Sequence, residues 1–166
     1  VGRYARDGAS VWLRTGAGTW SIEASFLSAP AGAAVAMSGD GSYVLAGDGM
    51  HVRTGATWSL MAGGFSSSYR AALDGAGTRA LTQEVLGGTV TVWGRSGSTW
   101  TIIGNLSAGT GSSLSISTGG DRAIVGALGD PTGLAVIYRI GALGDSCTRT
   151  SDCVTGVCTD GVCCNA

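Results

Sequence analysis

The sequence predicts an all-β protein, a β-propeller built from four-stranded antiparallel blades, and three observations carry that prediction. One phrase recurs three times: Arg14-Thr15-Gly16-Ala17-Gly18-Thr19-Trp20-Ser21-Ile22, Arg53-Thr54-Gly55-Ala56-Thr57-Trp58-Ser59-Leu60 and Arg95-Ser96-Gly97-Ser98-Thr99-Trp100-Thr101-Ile102. Its tryptophans stand 38 and 42 residues apart, the period of a propeller blade. A second phrase keeps phase with the first: Met37-Ser38-Gly39-Asp40-Gly41-Ser42-Tyr43-Val44-Leu45, Leu73-Asp74-Gly75-Ala76-Gly77-Thr78-Arg79-Ala80-Leu81 and Ile116-Ser117-Thr118-Gly119-Gly120-Asp121-Arg122-Ala123-Ile124. Each copy sets short apolar strands on either side of a Gly/Asp turn, the signature of a hairpin. Finally, the 30 glycines fall at turns between apolar runs and form no tracts. With 44% hydrophobic residues, that distribution favours an ordered, turn-rich β protein over a disordered chain.

The strands follow in order. At the front, residues 1–5, 10–13 and 20–24 supply strands two to four of a blade whose first strand is absent. The next blade reads 33–37, 43–46, 50–53 and 58–61, and the one after it 70–73, 79–82, 89–93 and 100–103. A last blade begins with 114–117, 123–126 and 135–139, and its fourth strand is missing. Apolar residues alternate along these strands, as at Ala33, Val35 and Met37 or Leu114 and Ile116, which suits sheets packed face to face. The reading gives two domains: residues 1–140 as a partial ring of about three to four blades, and residues 141–166 as a Cys-rich tail. A partial ring leaves open edges, so the expected partners include the remaining blades of a longer parent chain, with self-association as the alternative. The start at Val1, without Met or signal peptide, supports the same expectation.

Composition narrows the function. Net charge is −1, all ten cationic side chains are arginine, and they are scattered along the chain. No basic stripe exists for a phosphate backbone and no polybasic segment for an anionic membrane, so we expect no nucleic-acid partner. No apolar run approaches the ~20 residues of a membrane span. All five cysteines, Cys147, Cys153, Cys158, Cys163 and Cys164, lie in the last twenty residues. Their separations of six, five, five and one do not match paired zinc ligation, so we expect disulfides with one cysteine left over, in an oxidising compartment.

With both phrases in hand, the chain resembles the FG-GAP β-propellers, related to the integrin α-subunit head, in their secreted bacterial form. Residues 35–47, 89–93 and 114–127 and the three Trp phrases carry the resemblance, which spans residues 1–140. The tail is similar to short Cys-rich modules of large secreted bacterial proteins. The resemblance implies a secreted or cell-surface protein. It also raises calcium, since FG-GAP relatives hold it in the first hairpin. Here Asp40, Asp74 and Asp121 each offer a single carboxylate, against the roughly 6–8 oxygens calcium takes. We therefore expect them as turn formers, with calcium as the alternative and no other cofactor.

Catalysis has little to build on. The one histidine, His51, sits on a strand-three position, and no nucleophile–base grouping can be assembled, so we expect a non-enzymatic protein. Equivalent loops in related heads contact partners. That points to the connections between second and third strands, with Glu84 and Asp130 as candidate contacts. Trp12 and Trp93 are further candidates, because they recur on strand three but not in the blade between. The expected function is extracellular recognition or adhesion of an unidentified protein or glycan. The alternatives are a purely structural cell-surface repeat, or an accessory part of a larger secreted hydrolase.

Overall fold

The computed structural model describes residues 8–26, 34–46, 49–61, 64–65, 68–84, 88–107, 113–127, 133–141, 144–153 and 157–164. Strands β1 (Ala9–Gly16) and β2 (Thr19–Phe26) form a hairpin. β3 (Val35–Met37), β4 (Tyr43–Ala46), β5 (Gly49–Thr54) and β6 (Thr57–Leu60) form a four-stranded antiparallel sheet in chain order. β7 (Arg70–Leu73), β8 (Arg79–Gln83), β9 (Thr89–Ser96) and β10 (Thr99–Ser107) form a second. β11 (Ser113–Ile116), β12 (Arg122–Ala127) and β13 (Leu134–Arg139) form a three-stranded sheet. These are the blades the repeat predicts; β1, β2, β5, β9 and β10 run longer than predicted, while β6 keeps the predicted length. The strand expected at residues 1–5 lies outside the described residues.

Period-two alternation assigns each strand's neighbours to opposite faces. In the third blade Ala80, Trp93 and Trp100 face back onto Leu45, Met50 and Phe65. Their neighbours Leu81, Val90 and Val92 face forward onto Ala123, Val125 and Ile140. Val11 and Phe26 pack in the same sense against Val44 and Ala46. One β-bulge recurs: Val11 pairs Ala24 and Trp12 pairs Ile22, leaving Glu23 over, and Ile102/Gly104 on β10 leave Ile103 over. A bulge re-aims the extra side chain. Glu23 thereby reaches Arg53 of the next blade, whose Nε–H donates to it at 2.7 Å, while Ile103 joins the apolar cluster shared with the last blade.

The first strands β3, β7 and β11 lie side by side, and their turns are stitched together. Asp40 N–H donates to the Gly75 carbonyl at 3.2 Å, and Gly75 N–H donates to the Thr118 carbonyl at 2.9 Å. The approach requires glycine, because a Cβ at Gly75 would run into the Thr118 methyl group and lie 3.0 Å from its carbonyl oxygen.

The tail folds against the end of β13. Disulfides join Cys147 to Cys158 and Cys153 to Cys163, and Cys164 belongs to neither, as the odd count predicts. β14 (Cys158–Thr159) and β15 (Val162–Cys163) close through Asp160 and Gly161, both at positive φ (51° and 80°), as a tight primed turn needs. Gly141 bridges Cys153, tying blade to tail, and the Arg79 guanidinium of the third blade donates to the Ile140 carbonyl at the end of the last at 2.6 Å. Among the described residues no helix is long and apolar enough to cross a membrane.

Candidate functional site

The predicted calcium candidates sit in three separate turns and are engaged there. Asp40 Oδ1 accepts from the Ser38 hydroxyl at 2.6 Å and from Ser42 N–H at 3.0 Å, and these donors hold its carboxyl below the usual range. Asp121 is lowered in the same way, first by the Ser117 hydroxyl at 2.7 Å and then by Arg122. Asp74 is buried, 1% exposed, and accepts from Thr78 N–H at 2.7 Å and the Thr78 hydroxyl at 2.5 Å. It stands where the other turns have Ser38 and Ser117, since each of the three donates its N–H to the strand that follows. Among the described residues the only close grouping of metal-ligating types is Cys147, Cys153 and Cys163, and its sulfurs are committed to disulfides.

The strand-three aromatics resolve into one structural slot. Val44 pairs His51, Ala80 pairs Trp93 and Ala123 pairs Tyr138, so these three residues, with Trp12 on β1, occupy equivalent places. The slots of His51, Trp93 and Tyr138 are each met by a residue of the preceding blade. Phe26 stacks on His51 with ring centroids 4.1 Å apart and meets Trp58 edge-on at 5.9 Å. Phe65 does the same to Trp93 at 4.4 Å and Trp100 at 5.7 Å. In the last blade the Tyr138 hydroxyl donates to the Ser107 carbonyl at 2.5 Å.

This corrects the expectation for Trp93, which is 5% exposed and donates its indole N–H to Thr82 at 2.8 Å, so it presents nothing to a ligand. Trp12 is 54% exposed because its slot is at the first described blade, where no described residue covers it. The same holds for Trp20 at 59%, against 3% for Trp100. The covering residues escaped the sequence reading, although a signal exists: Trp20–Phe26, Trp58–Phe65 and Trp100–Leu106 repeat an apolar residue six or seven positions on.

Glu84 is exposed and directly follows the buried Leu81, Thr82 and Gln83 of β8. Strand direction alternates, so the connections between second and third strands share an end with the blade-to-blade connections, opposite the stitched Asp turns. Asp130 lies outside the described residues. Two cavities are notable. One, of about 360 Å³, is an apolar groove between β1–β2 and β3, floored by Val11, Phe26 and Val44. The other, of about 530 Å³, lies between β13 and the tail and is lined by Arg122, Arg139 and Arg149 with Tyr138 and Asp152.

No family model matches the chain, and no curated protein matches it. Solved structures do. A Bacteroides fragilis protein assigned provisionally as a 6-phosphogluconolactonase matches 80% of this chain at 15% identity and a TM-score of 0.54, with 48% of its own length covered. Hydrazine synthase of Kuenenia stuttgartiensis matches 64% at 17% identity and 0.49, with 32% of its length covered. TolB of Acinetobacter baumannii matches 76% at 15% identity and 0.44, with 36% covered. The chain thus spans less than half the length of each of these three proteins. At these identities the likeness concerns the fold, and the fold is a β-propeller of four-stranded antiparallel blades.

Proposed function

We propose that this chain is a secreted, FG-GAP-like propeller segment that works as a non-enzymatic recognition or adhesion module. Its working surface is the end that carries the connections between second and third strands. The observation that carries this reading is Glu84: an exposed carboxylate placed directly after three buried residues of a central strand. A rigid strand end fixes where such a carboxylate is presented, as binding residues on loops require. The two disulfides support an oxidising, extracellular setting. The hairpin and Trp phrases support the FG-GAP affiliation.

The test is binding of the wild type to arrays of neutral and acidic glycans and immobilised matrix proteins, beside Glu84→Ala and Asp130→Ala. The reading expects at least a tenfold loss for one variant with the melting profile unchanged. Equal binding by all three would favour the structural alternative, which the exposed Trp12, Trp20 and Ile22 on the first blade also support.

A further inference from the structure

We propose that the outer edge of β13 is a strand-addition site for an extended acidic peptide. Its cavity lies toward the Arg139 end of the strand, away from the connections assigned to recognition above, and the proposal does not depend on that assignment.

The blades themselves show what belongs there. β5 is paired along its outer side by β6, and β9 by β10, whereas no described strand pairs the outer side of β13. Val136, Ile137, Tyr138 and Arg139 all line the 530 Å³ cavity. Consecutive side chains point to opposite faces, so a cavity touched by four in a row runs along the strand's edge. The ladder fixes which backbone groups face it. Ile140 N–H donates to Asp121 O at 2.7 Å, and Ser117 N–H donates to Arg122 O at 2.9 Å. Alternation then turns the N–H and C=O groups of Ile137 and Arg139 away from β12 and toward the cleft.

The charge of the cleft selects the guest. Arg122 pairs with Asp121 at 3.4 Å, and Arg149 with Asp152 at 3.5 Å. The other Asp152 oxygen accepts from Thr148 N–H and the Thr148 hydroxyl at 2.8 Å and from Arg149 N–H at 3.2 Å. Arg139 is left with no carboxylate among the described residues. Register makes this cation specific to the open blade. Arg122 pairs Arg139 where Tyr43 pairs Val52 and Arg79 pairs Gly94, so the equivalent positions in the two completed blades are uncharged. Opposite Val52 and Gly94 the fourth strands place Ser59 and Thr101. Opposite Arg139, a carboxylate on the incoming strand would meet a guanidinium able to bind it through two parallel hydrogen bonds. The exposed Ile137, cross-strand from the exposed Ile124, offers an apolar neighbour two positions away on the same face. A second copy of this edge would bring arginine toward arginine, so the site disfavours self-pairing. Free alternating donors and acceptors at β spacing suit a peptide main chain, which a glycan lacks.

The experiment uses the whole chain and three end-blocked, fluorescent octapeptides: alternating Thr and Glu, alternating Thr and Lys, and the Thr/Glu peptide with its pairing-edge amides N-methylated. Fluorescence anisotropy measures binding, and amide hydrogen exchange follows Ile137 and Arg139. We expect the Thr/Glu peptide to bind at least tenfold more tightly than the other two and to slow exchange at both amides. Arg139→Glu should lose that preference by at least tenfold and favour the Thr/Lys peptide. Equal binding of the N-methylated peptide, or unchanged exchange at Ile137 and Arg139, would overturn strand addition and leave a plain anion patch. Displacement by a sulfated glycan with no exchange protection would assign the cleft to a polyanion instead. No binding of the Thr/Glu peptide would also overturn the proposal.

Discussion

A single tryptophan position behaves in three different ways along this chain. Trp20, Trp58 and Trp100 share one phrase, yet they run from exposed through half-buried to buried as the covering blade appears. Truncating a buried aromatic costs about 3–5 kcal/mol, whereas an exposed one costs under about 1 kcal/mol. Trp100→Ala should therefore shift the urea midpoint strongly and Trp20→Ala hardly at all. Equal shifts would contradict the stacking described here. The carboxylates give a second prediction at this scale. Asp40, Asp121 and Asp152 are all lowered, chiefly by hydrogen bonds from Ser38, Ser117 and Thr148 respectively. A lowered carboxylate contributes stability that is fully present above its unfolded value near 4 and is lost as pH falls through the folded value below it. The melting temperature should drop below about pH 4, and Asp152→Asn should reduce that pH dependence. A midpoint that stays flat between pH 5 and 2 would show that these bonds carry no net stability.

At the scale of elements, the repeat was legible because turns and alternation are local. Gly/Asp turns and the Thr-Trp-Ser and Thr-Trp-Thr phrases mark the strands of both full blades in the sequence itself. The slot shared by Trp12, His51, Trp93 and Tyr138 was legible only in part: the sequence put His51 or Val52 where its neighbours carry Trp12 and Trp93, and the last blade lacks the Trp phrase that would have marked Tyr138. A tryptophan that recurs in alternate blades looks like a surface feature until pairing selects His51 over Val52 and shows both His51 and Trp93 stacked under a phenylalanine of the preceding blade. The covering residues Phe26 and Phe65 were hidden too, since they stand six and seven positions after their tryptophans and fall outside both phrases. Disulfide pairing was also out of reach, because five clustered cysteines fix no connectivity. The observed pairs enclose separations of 11 and 10 residues, for which loop closure suggests about 3 kcal/mol each. Replacing Cys153 and Cys163 by serine should unfold the tail while the blades keep their strand signature in circular dichroism. Loss of the blade signal would mean that the tail holds the last blade together.

At the scale of the whole molecule, the described residues form an arc of stacked blades, sealed in the middle and with apolar surface exposed on the first and last sheets. The third blade is apolar on both faces, with Leu81, Val90 and Val92 fully buried. The first described hairpin exposes Trp12, Leu13, Trp20 and Ile22, and the last sheet exposes Ile124 and Ile137. Local opening should follow this gradient, since stability within a protein tracks buried apolar contact. Hydrogen exchange along the isolated chain measures it most directly. The slowest amides should lie in β8 and β9, with β1, β2 and β13 faster by orders of magnitude. Uniform protection, or the slowest exchange in the terminal strands, would contradict the arc.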